Sequence, residues 1–268
     1  MIFRKGLFEG QVVAITGGGT GIGLGCAKAF ASLGAKVSIC GRRENVLEEA
    51  ARAIQASATE QGYDEDCVIS SVADVKKPET LAAWCQETKT AFGGVDCLVA
   101  NAGANFLAPA AAISPNGFAT VVGTVLLGTW NTLHAFFPVL SEKEKSSIIM
   151  MAATNGYTAS PLMAHSGAGK AGMLNLTQTL AVEWAPSGIR VNAVAPGPVD
   201  TEGATSRLWS DPSARERVTK TVPLGRMGTT EDCIHPVLFL ASPAGDFITG
   251  TTLTVDGGNF LKPLPELI

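Results

Sequence analysis

A glycine-rich segment near the start of the chain, VVAITGGGTGIG at residues 12–23, constrains the fold more than any other feature. Its first four residues are apolar and mostly β-branched, which predicts a buried parallel strand. Gly17, Gly21 and Gly23 then allow a tight turn, and Ile22 opens an amphipathic run that predicts a helix. A strand, a glycine loop and a helix start direct free backbone N–H groups at one place, which suits a pyrophosphate. The spacing Gly-x-x-x-Gly-x-Gly also fits a plain turn, so the loop alone leaves both interpretations open.

Composition predicts one α/β domain over residues 1–268. The chain is 46% apolar and 16% charged, and no linker, charge block, low-complexity tract or repeat divides it. The net charge is −4 without a basic run, which argues against nucleic acid and anionic membranes as partners. No apolar run reaches the length of a membrane span, and no signal peptide is visible. We therefore expect a cytoplasmic protein, or a mitochondrial or peroxisomal one in a eukaryote, although the chain does not end in Ser-Lys-Leu.

The six cysteines are scattered and contain no Cys-x-x-Cys pair. Most of them lie inside apolar runs, which predicts reduced, buried thiols in a reducing compartment. We expect neither disulfides nor a metal site from this pattern.

The second predicted strand, residues 36–40, is followed by Gly41-Arg42-Arg43, and this sequence bears on the choice of cofactor. NAD-binding folds carry an acidic residue near this point, where it binds the ribose hydroxyls and repels a 2′-phosphate. Arg42 and Arg43 can instead bind a 2′-phosphate through charge-assisted hydrogen bonds, which predicts NADP(H). The alternative is that both arginines are solvated residues at the start of a helix over residues 44–58.

Further strands are predicted at residues 67–71, 96–100, 147–151, 190–194 and 251–255. After the first of these, Asp74 lies at the sheet edge where ligands bind and could accept a hydrogen bond from an adenine amino group. Asp74 could equally cap the helix that begins near Pro78.

Four motifs in this order resemble the short-chain dehydrogenase/reductase family over nearly the whole chain: residues 16–23, Asp74-Val75, Asn101-Ala102-Gly103 and Pro196-Gly197. The resemblance implies a single Rossmann-type domain, with a doubly wound, seven-stranded parallel sheet and helices on both faces. It also implies a homotetramer in which the helix over residues 167–185 contributes to the main dimer face. The cofactor contacts that it implies are Gly17, Gly19, Thr20, Gly21, Ile22, Arg42, Arg43, Asp74, Val75, Asn101, Ala102, Gly103, Lys170, Pro196, Gly197, Val199 and Thr201.

The chain departs from the catalytic signature of that family. The family pattern is Tyr-x-x-x-Lys, with a serine upstream and an asparagine on the central helix. Lys170 matches the lysine, but Ser166 takes the place of the tyrosine, Ala153 that of the serine and Val125 that of the asparagine. Because a serine hydroxyl is a much weaker acid than a phenol, ordinary ketone reduction is disfavoured.

A branch of the family resolves this conflict. Residues 162–170, Glu183-Trp184, residues 195–198 and Asn105-Phe106-Leu107 resemble the 2,4-dienoyl-CoA reductases and peroxisomal trans-2-enoyl-CoA reductases. The resemblance implies NADPH-dependent reduction of a C=C bond in an unsaturated fatty acyl-CoA. The tyrosine is commonly absent there, because charge that collects on the thioester oxygen needs hydrogen-bond donors more than an acid.

The predicted catalytic residues of this branch surround the family lysine. Lys170 holds the nicotinamide ribose and contributes a positive field, and the candidate donors are Thr154, Asn155, Tyr157 and Ser166. Thr154 or Asn155 is favoured as the donor to the carbonyl, since mitochondrial dienoyl-CoA reductases resemble this chain there and carry a functional tyrosine. The alternative for Ser166 is a small residue that only makes room beside the cofactor. His165 is either a proton source or, more simply, a packed histidine.

On the central helix, where that branch usually carries an Asp or Asn, this chain offers only Thr124. The polar segment over residues 202–223 predicts a substrate lid, with Arg207, Arg215, Arg217 and Lys220 available to a CoA phosphate. A solvated helical excursion explains this segment equally well. Two alternatives to C=C reduction stay open: a carbonyl or 3-ketoacyl oxidoreductase, and a catalytically inert NADP-binding protein.

Overall fold

Seven strands and eight α-helices carry the architecture in the residues described by the computed structural model, which are 2–64, 66–201, 203 and 211–261. The strands are β1 Val12–Thr16, β2 Lys36–Gly41, β3 Val68–Val72, β4 Cys97–Ala100, β5 Ser146–Met151, β6 Ile189–Pro196 and β7 Thr252–Val255. The helices are α1 Gly21–Ser32, α2 Glu44–Thr59, α3 Pro78–Phe92, α4 Pro115–Val122, α5 Gly128–Leu140, α6 Ala164–Glu183, α7 Pro212–Lys220 and α8 Thr230–Ala241.

The strands form one sheet in the order β3-β2-β1-β4-β5-β6-β7, and every pairing is parallel. The chain starts at the centre, moves out to β3 and returns to β4 on the other side of β1. In such a doubly wound sheet, ligands bind at the carboxyl ends of the strands where the direction reverses. The predicted fold is confirmed, and it brings the loops after β1 and β4 together.

Helices cover both faces of the sheet because the buried strands are apolar on both sides. On one face, α1, α2 and α8 bury side chains such as Phe30, Ile54 and Val237. On the other face, α3, α5 and α6 bury Trp84, Phe136 and Met173. These two layers fix the strand ends that form the site.

A five-residue π-helical segment, Gly123–Leu127, interrupts the helix between α4 and α5. Such bulges are frequent at functional sites because they turn a side chain out of the regular helical register. Here Val125 is fully buried and lies against Gly169 of α6, where an added Cβ would come within 3.0 Å of the valine Cγ1.

The predicted element bounds agree with the structure to within about three residues, except in the region before β7. Residues 211–223 contain α7. The sequence does not predict this helix by a periodic apolar pattern, because the helix is polar along most of its length. Its start is fixed locally: the Asp211 carboxylate accepts from the Ser213 N–H at 3.0 Å, and Pro212 occupies the first turn. Residues 202 and 204–210, which include the predicted lid residue Arg207, lie outside the described residues.

All six cysteines are free, and five of them are buried, while Cys85 is partly exposed. Burial raises the pKa of the Cys97 thiol to about 11, so this thiol stays protonated at neutral pH. In the described part of the chain, no helix combines the length and the apolar character that a membrane span requires. Within the same residues, no cluster of three His, Cys, Asp or Glu side chains could hold a metal ion.

Candidate active site

A cavity of about 1220 Å³ opens at the carboxyl ends of the strands. The loops after β1, β2, β3, β4, β5 and β6 contribute to its walls, as the reversal of strand order requires. Most of the predicted site residues line it, namely Gly17, Gly19, Thr20, Ile22, Arg42, Arg43, Asp74, Val75, Asn101, Ala102, Gly103, Thr154, Asn155, Ser166, Lys170, Pro196, Gly197 and Thr201.

Two predicted cofactor residues do not line the cavity. Gly21 begins α1 with a φ of +55°, so it serves the turn by its backbone conformation. Val199 is buried, and its backbone pairs with Gly228 in an isolated parallel bridge. The motifs that contain Gly21 and Val199 lie at the site, but these two residues do not contribute to the cavity wall.

The glycine loop is held in shape by contacts with the β4 loop. Gly17 has a φ of +64°, and a Cβ on Gly23 would lie 2.4 Å from the Gly17 carbonyl oxygen. The Asn101 amide donates to the carbonyls of Thr16 at 3.0 Å and Gly17 at 3.3 Å. In return, the Thr16 hydroxyl accepts from the N–H groups of Asn101 and Ala102. The loop is therefore preorganised and narrow, and its backbone faces the cavity.

At the other side of this loop, Arg42 and Arg43 line the cavity with exposed side chains. They follow β2 directly, where an acidic residue would repel a 2′-phosphate, so their charge fits a phosphorylated ribose. Asp74 also lines the cavity, but its carboxylate accepts from the Lys76 N–H at 3.0 Å. Asp74 therefore closes the turn before α3. The N-cap position of the helix is occupied by Lys77, whose side chain makes no capping hydrogen bond.

Lys170 is the charged centre of the opposite end of the cavity. Its side chain comes from α6, is only 9% exposed and donates from Nζ to the carbonyl of Met151 at the end of β5. Burial lowers the pKa of Lys170 to about 8, because the ammonium has lost most of its hydration. The lysine thus places a positive charge in a poorly hydrated site.

Ser166, Asn155 and Thr154 gather around this lysine. Ser166 lies one helical turn before Lys170 on α6, and Thr154 and Asn155 follow β5 in a short 3-10 helix. Ser166 and Thr154 are buried, and the Asn155 Nδ2 donates to the Ser166 Oγ at 3.2 Å. A Cβ on Gly156 would lie 3.0 Å from the Lys170 carbonyl carbon, so the absence of a side chain lets these two segments meet.

His165 is fully buried at the start of α6 and is not part of the cavity wall. Its Nδ1 accepts from the N–H of Ser166 at 2.7 Å, and its ring contacts Phe106 edge-on at 4.2 Å between centroids. Burial lowers the pKa of His165, which favours the neutral ring. Of the two predicted roles, the structure supports the packed histidine.

Neither of the two tyrosines of the chain lines the cavity. The Tyr157 hydroxyl hydrogen-bonds to Thr254 on β7, and its ring packs edge-on against Phe260. These contacts do not support Tyr157 as a donor to the substrate, because the side chain that follows the turn Thr154–Gly156 is directed toward the last strand. Tyr63 approaches Gly34 and Gly6, remote from the strand ends that form the site.

The cations of the predicted lid segment differ in their surroundings. Arg215 pairs with Asp200, and Arg217 hydrogen-bonds to the Ser213 Oγ at 2.9 Å; neither arginine lines the cavity. Lys220 does line it, although its ammonium lies 2.8 Å from Glu216.

Several cavity residues were not predicted as site residues. Asn105, Thr124, Met163, Asn259 and Phe260 line the wall. The Asn105 amide lies 3.0 Å from the Met163 sulfur, and the Ala108 N–H donates to the Leu162 carbonyl at 3.0 Å. These contacts join the loops after β4 and β5. The sequence signals for this wall were the resemblance of Asn105-Phe106-Leu107 and residues 162–170 to the dienoyl-CoA reductases, and the position of Thr124 on the central helix.

A parallel sheet in this order, a preorganised glycine loop at its reversal point and a buried lysine beside the cavity define a dinucleotide-binding oxidoreductase. The family model described as enoyl-(acyl carrier protein) reductase matches residues 17–259, and the chain belongs to this family of short-chain dehydrogenases/reductases. Membership implies a nicotinamide cofactor.

The relatives cover nearly the whole chain. A probable 2,4-dienoyl-CoA reductase ((2E)-enoyl-CoA-producing) of Bacillus subtilis is 39% identical over 96% of this chain and 99% of its own. A peroxisomal 2,4-dienoyl-CoA reductase ((3E)-enoyl-CoA-producing) of Danio rerio is 37% identical over 97% of this chain and 85% of its own. The crystal structure of a short chain dehydrogenase from Bacillus anthracis superposes with a TM-score of 0.84 at 38% identity, over 96% of this chain and 99% of that one.

Proposed function

We propose that this protein uses NADPH to reduce a C=C bond conjugated to the thioester of a fatty acyl-CoA, as a 2,4-dienoyl-CoA or trans-2-enoyl-CoA reductase. The observation that carries this proposal is the set of side chains at the cavity: Lys170, Ser166, Asn155 and Thr154 are present, and no tyrosine is. Relatives named 2,4-dienoyl-CoA reductase support the same substrate class.

The residues fit the cofactor at both ends of the cavity. Gly17 and Gly19 line the cavity and carry no side chain that would hold a pyrophosphate away from their backbone. Arg42 and Arg43 would hold the 2′-phosphate, which supports NADPH over NADH. Lys170 would hold the nicotinamide ribose. When bound, the reduced nicotinamide supplies a hydride.

The chemistry of the substrate determines what the chain must provide. When a hydride adds to a carbon of the conjugated system, an electron pair moves through the π-system to the thioester oxygen, which becomes an enolate. A proton from water then adds to carbon, and the carbonyl is restored. The net change is one hydride and one proton added to the acyl chain, and the oxygen needs hydrogen bonds but no permanent proton.

The cavity meets this need through preorganised polar groups. Ser166 and Thr154 provide hydroxyl groups at buried positions, and Lys170 provides a positive charge in the same poorly hydrated end. Donors fixed in such a site stabilise a developing oxyanion strongly, and the loss of one typically lowers kcat by about 100- to 1000-fold. A ketone would instead require an acid of phenol-like strength beside Lys170, and Ser166 stands there.

The experiment follows NADPH consumption with three CoA thioesters of equal chain length: a trans-2,trans-4-dienoyl-CoA, a trans-2-enoyl-CoA and a 3-ketoacyl-CoA. We expect turnover of an unsaturated thioester and none of the ketone. Turnover of the ketone alone would identify a 3-ketoacyl reductase. Tight NADPH binding with every thioester unchanged would identify an inert nucleotide-binding protein.

The proposal extends to assembly and location. A homotetramer is supported by exposed apolar side chains on the helices of the expected dimer face, Trp130 on α5 and Val182 on α6. Light scattering of the purified protein measures this directly, and a monomeric mass would contradict it. A reducing compartment such as the cytoplasm suits the free cysteines.

A further inference from the structure

We infer that Ser166 is the hydrogen-bond donor to the thioester oxygen and that Asn155 is a positioning residue that acts through it. This inference rests on the proposed function and assigns separate roles within the cluster. It starts from the single hydrogen bond that joins the two side chains, from Asn155 Nδ2 to Ser166 Oγ at 3.2 Å.

The direction of this bond follows from the surroundings of the amide. The Asn155 Oδ1 is buried and has no hydrogen-bond partner. If the amide were reversed, its two N–H hydrogens would occupy that buried position without an acceptor. A buried carbonyl oxygen without a partner is better tolerated than buried N–H groups without one. The orientation with Nδ2 toward Ser166 is therefore the stable one.

Donation by Asn155 determines what the serine can do. Ser166 Oγ accepts from the amide, so its own hydrogen cannot point at Asn155 and is left for another acceptor. Ser166 is only 3% exposed yet lies on the cavity wall, so the acceptor that can reach it is a group bound in the cavity. In the proposed reaction that group is the thioester oxygen.

The backbone of Ser166 is fixed as well. Its N–H donates to the Nδ1 of His165 at 2.7 Å, and the His165 ring is held edge-on by Phe106. Because Nδ1 accepts this hydrogen bond, it carries no hydrogen of its own in the neutral ring. His165 therefore fixes the start of α6 and delivers no proton to Ser166.

Donation by Asn155 also polarises the Ser166 hydroxyl. A hydroxyl that accepts a hydrogen bond becomes a better donor, since hydrogen bonds in a chain strengthen one another. The series Asn155, Ser166, thioester oxygen is thus a two-step hydrogen-bond chain that ends on the developing charge. In this chain the oriented and polarised Ser166 hydroxyl takes the place of the family tyrosine. It donates a hydrogen bond to the thioester oxygen and does not release its proton.

A double-mutant cycle of Asn155→Ala and Ser166→Ala tests this assignment, with kcat measured on the best unsaturated acyl-CoA. We expect Ser166→Ala to lower kcat about 100-fold, as for other oxyanion donors. Asn155→Ala should lower kcat about tenfold in the parent and less than twofold in the Ser166→Ala background, because its route to the substrate is then gone. Equal losses in both backgrounds would show that Asn155 donates to the substrate directly and would overturn the inference.

Two further measurements separate positioning from folding. Ser166→Thr retains a hydroxyl and should recover part of the lost kcat, while Gln86→Ala, the loss of an exposed amide on α3 and outside the cavity, should match the parent. In infrared spectra, the stretching frequency of a 13C-labelled thioester carbonyl, bound with oxidised cofactor, should be lower than that of the free thioester in the parent protein. In Ser166→Ala this lowering should be smaller. If the carbonyl frequency in the Ser166→Ala complex equalled that in the parent complex, the inference would be overturned independently of any turnover measurement. If the parent turns over no unsaturated thioester at all, the proposed function fails, whereas the infrared result still reports whether Ser166 contacts a bound thioester.

Discussion

Lys170 donates its ammonium hydrogen to the carbonyl of Met151, the last residue of β5, while only 9% of the lysine remains exposed. This contact anchors the charge of the site to the central sheet. It also leaves the ammonium with little water, which is why its pKa falls from the usual 10.5 to about 8.

The pH dependence of turnover follows from that pKa. A lysine with a lowered pKa loses its charge as the pH rises through the lowered value, so the positive field at the thioester declines above about pH 8. We expect kcat to fall there. Lys170→Arg keeps its charge at every accessible pH, so its kcat, although lower, should stay level to about pH 10. Parallel pH–rate profiles for the two proteins would contradict this role of Lys170.

Cofactor choice is expected to depend on Arg42, which lines the cavity directly after β2. Arg42→Asp replaces a hydrogen-bond donor to the 2′-phosphate by a negative charge that repels it. Hydrogen bonds to charged groups are worth about 1.5–3 kcal/mol, so the Kd for NADPH should rise at least tenfold and that for NADH by little. Quenching of tryptophan fluorescence on titration measures both.

The matched control is Arg52→Asp, the same charge change at an exposed position of α2 that does not line the cavity. Its NADPH affinity should remain close to that of the parent. If the parent binds NADPH and NADH equally well, Arg42 and Arg43 are only solvated residues at the start of a helix.

The glycine loop allows a test of packing at the cofactor site. In Gly23→Ala, the new Cβ would stand 2.4 Å from the Gly17 carbonyl oxygen and 2.5 Å from the Asn101 amide, so the backbone must move. Overpacking of this kind costs about 1–3 kcal/mol in the free energy of unfolding, and we expect NADPH binding to be lost as well. Urea denaturation and fluorescence titration give the two quantities.

Gly123→Ala is the control for this change, because nothing lies within 4 Å of the added Cβ. Its unfolding free energy should be unchanged or higher by up to about 1 kcal/mol, as for glycine to alanine in a helix. If Gly23→Ala bound NADPH with the affinity of the parent, the loop would accommodate a Cβ at residue 23, and the predicted clash would be contradicted.

Tyr157→Phe distinguishes this site from the tyrosine-dependent members of the family. The Tyr157 hydroxyl bonds to Thr254 and does not line the cavity, so we expect the variant to turn over within about twofold of the parent rate. The lost hydrogen bond should lower the free energy of unfolding by about 0.5–1.5 kcal/mol. If a folded Tyr157→Phe protein instead turned over about two orders of magnitude more slowly, as after loss of an oxyanion donor, the tyrosine would have to reach the substrate.

The sheet and the cofactor end were predictable from the sequence because their signals are local. The strand, glycine turn and helix around residues 12–23 each leave a pattern within a few residues, and strand ends in a doubly wound sheet must meet. The place of Arg42 and Arg43 at the sheet edge was predictable for the same reason, since they directly follow a strand. The structure adds that the Asn101 side chain holds the glycine loop by donating to the carbonyls of Thr16 and Gly17.

The reaction end was less predictable because its contacts join distant segments. The motif spacing puts Tyr157 near Lys170, but a 3-10 turn directs the tyrosine toward β7, and no pattern in the sequence reports that direction. Asn105 and Met163 meet only because two loops from neighbouring strands run side by side. The hydrogen bond between Asn155 and Ser166 likewise depends on how the β5 loop crosses the start of α6.

The most direct test of C=C reduction traces the hydride. The protein is given NADPH deuterated at the transferring position of the nicotinamide, together with equal amounts of a 2,4-dienoyl-CoA and a 3-ketoacyl-CoA of the same chain length, and the products are identified by mass spectrometry. We predict one deuterium on a carbon of the former conjugated system in an enoyl-CoA product, with the thioester carbonyl intact and the ketone unreacted. Deuterium found only on the carbinol carbon of a 3-hydroxyacyl-CoA would contradict C=C reduction, because Ser166 would then have to act as the acid in place of the missing tyrosine.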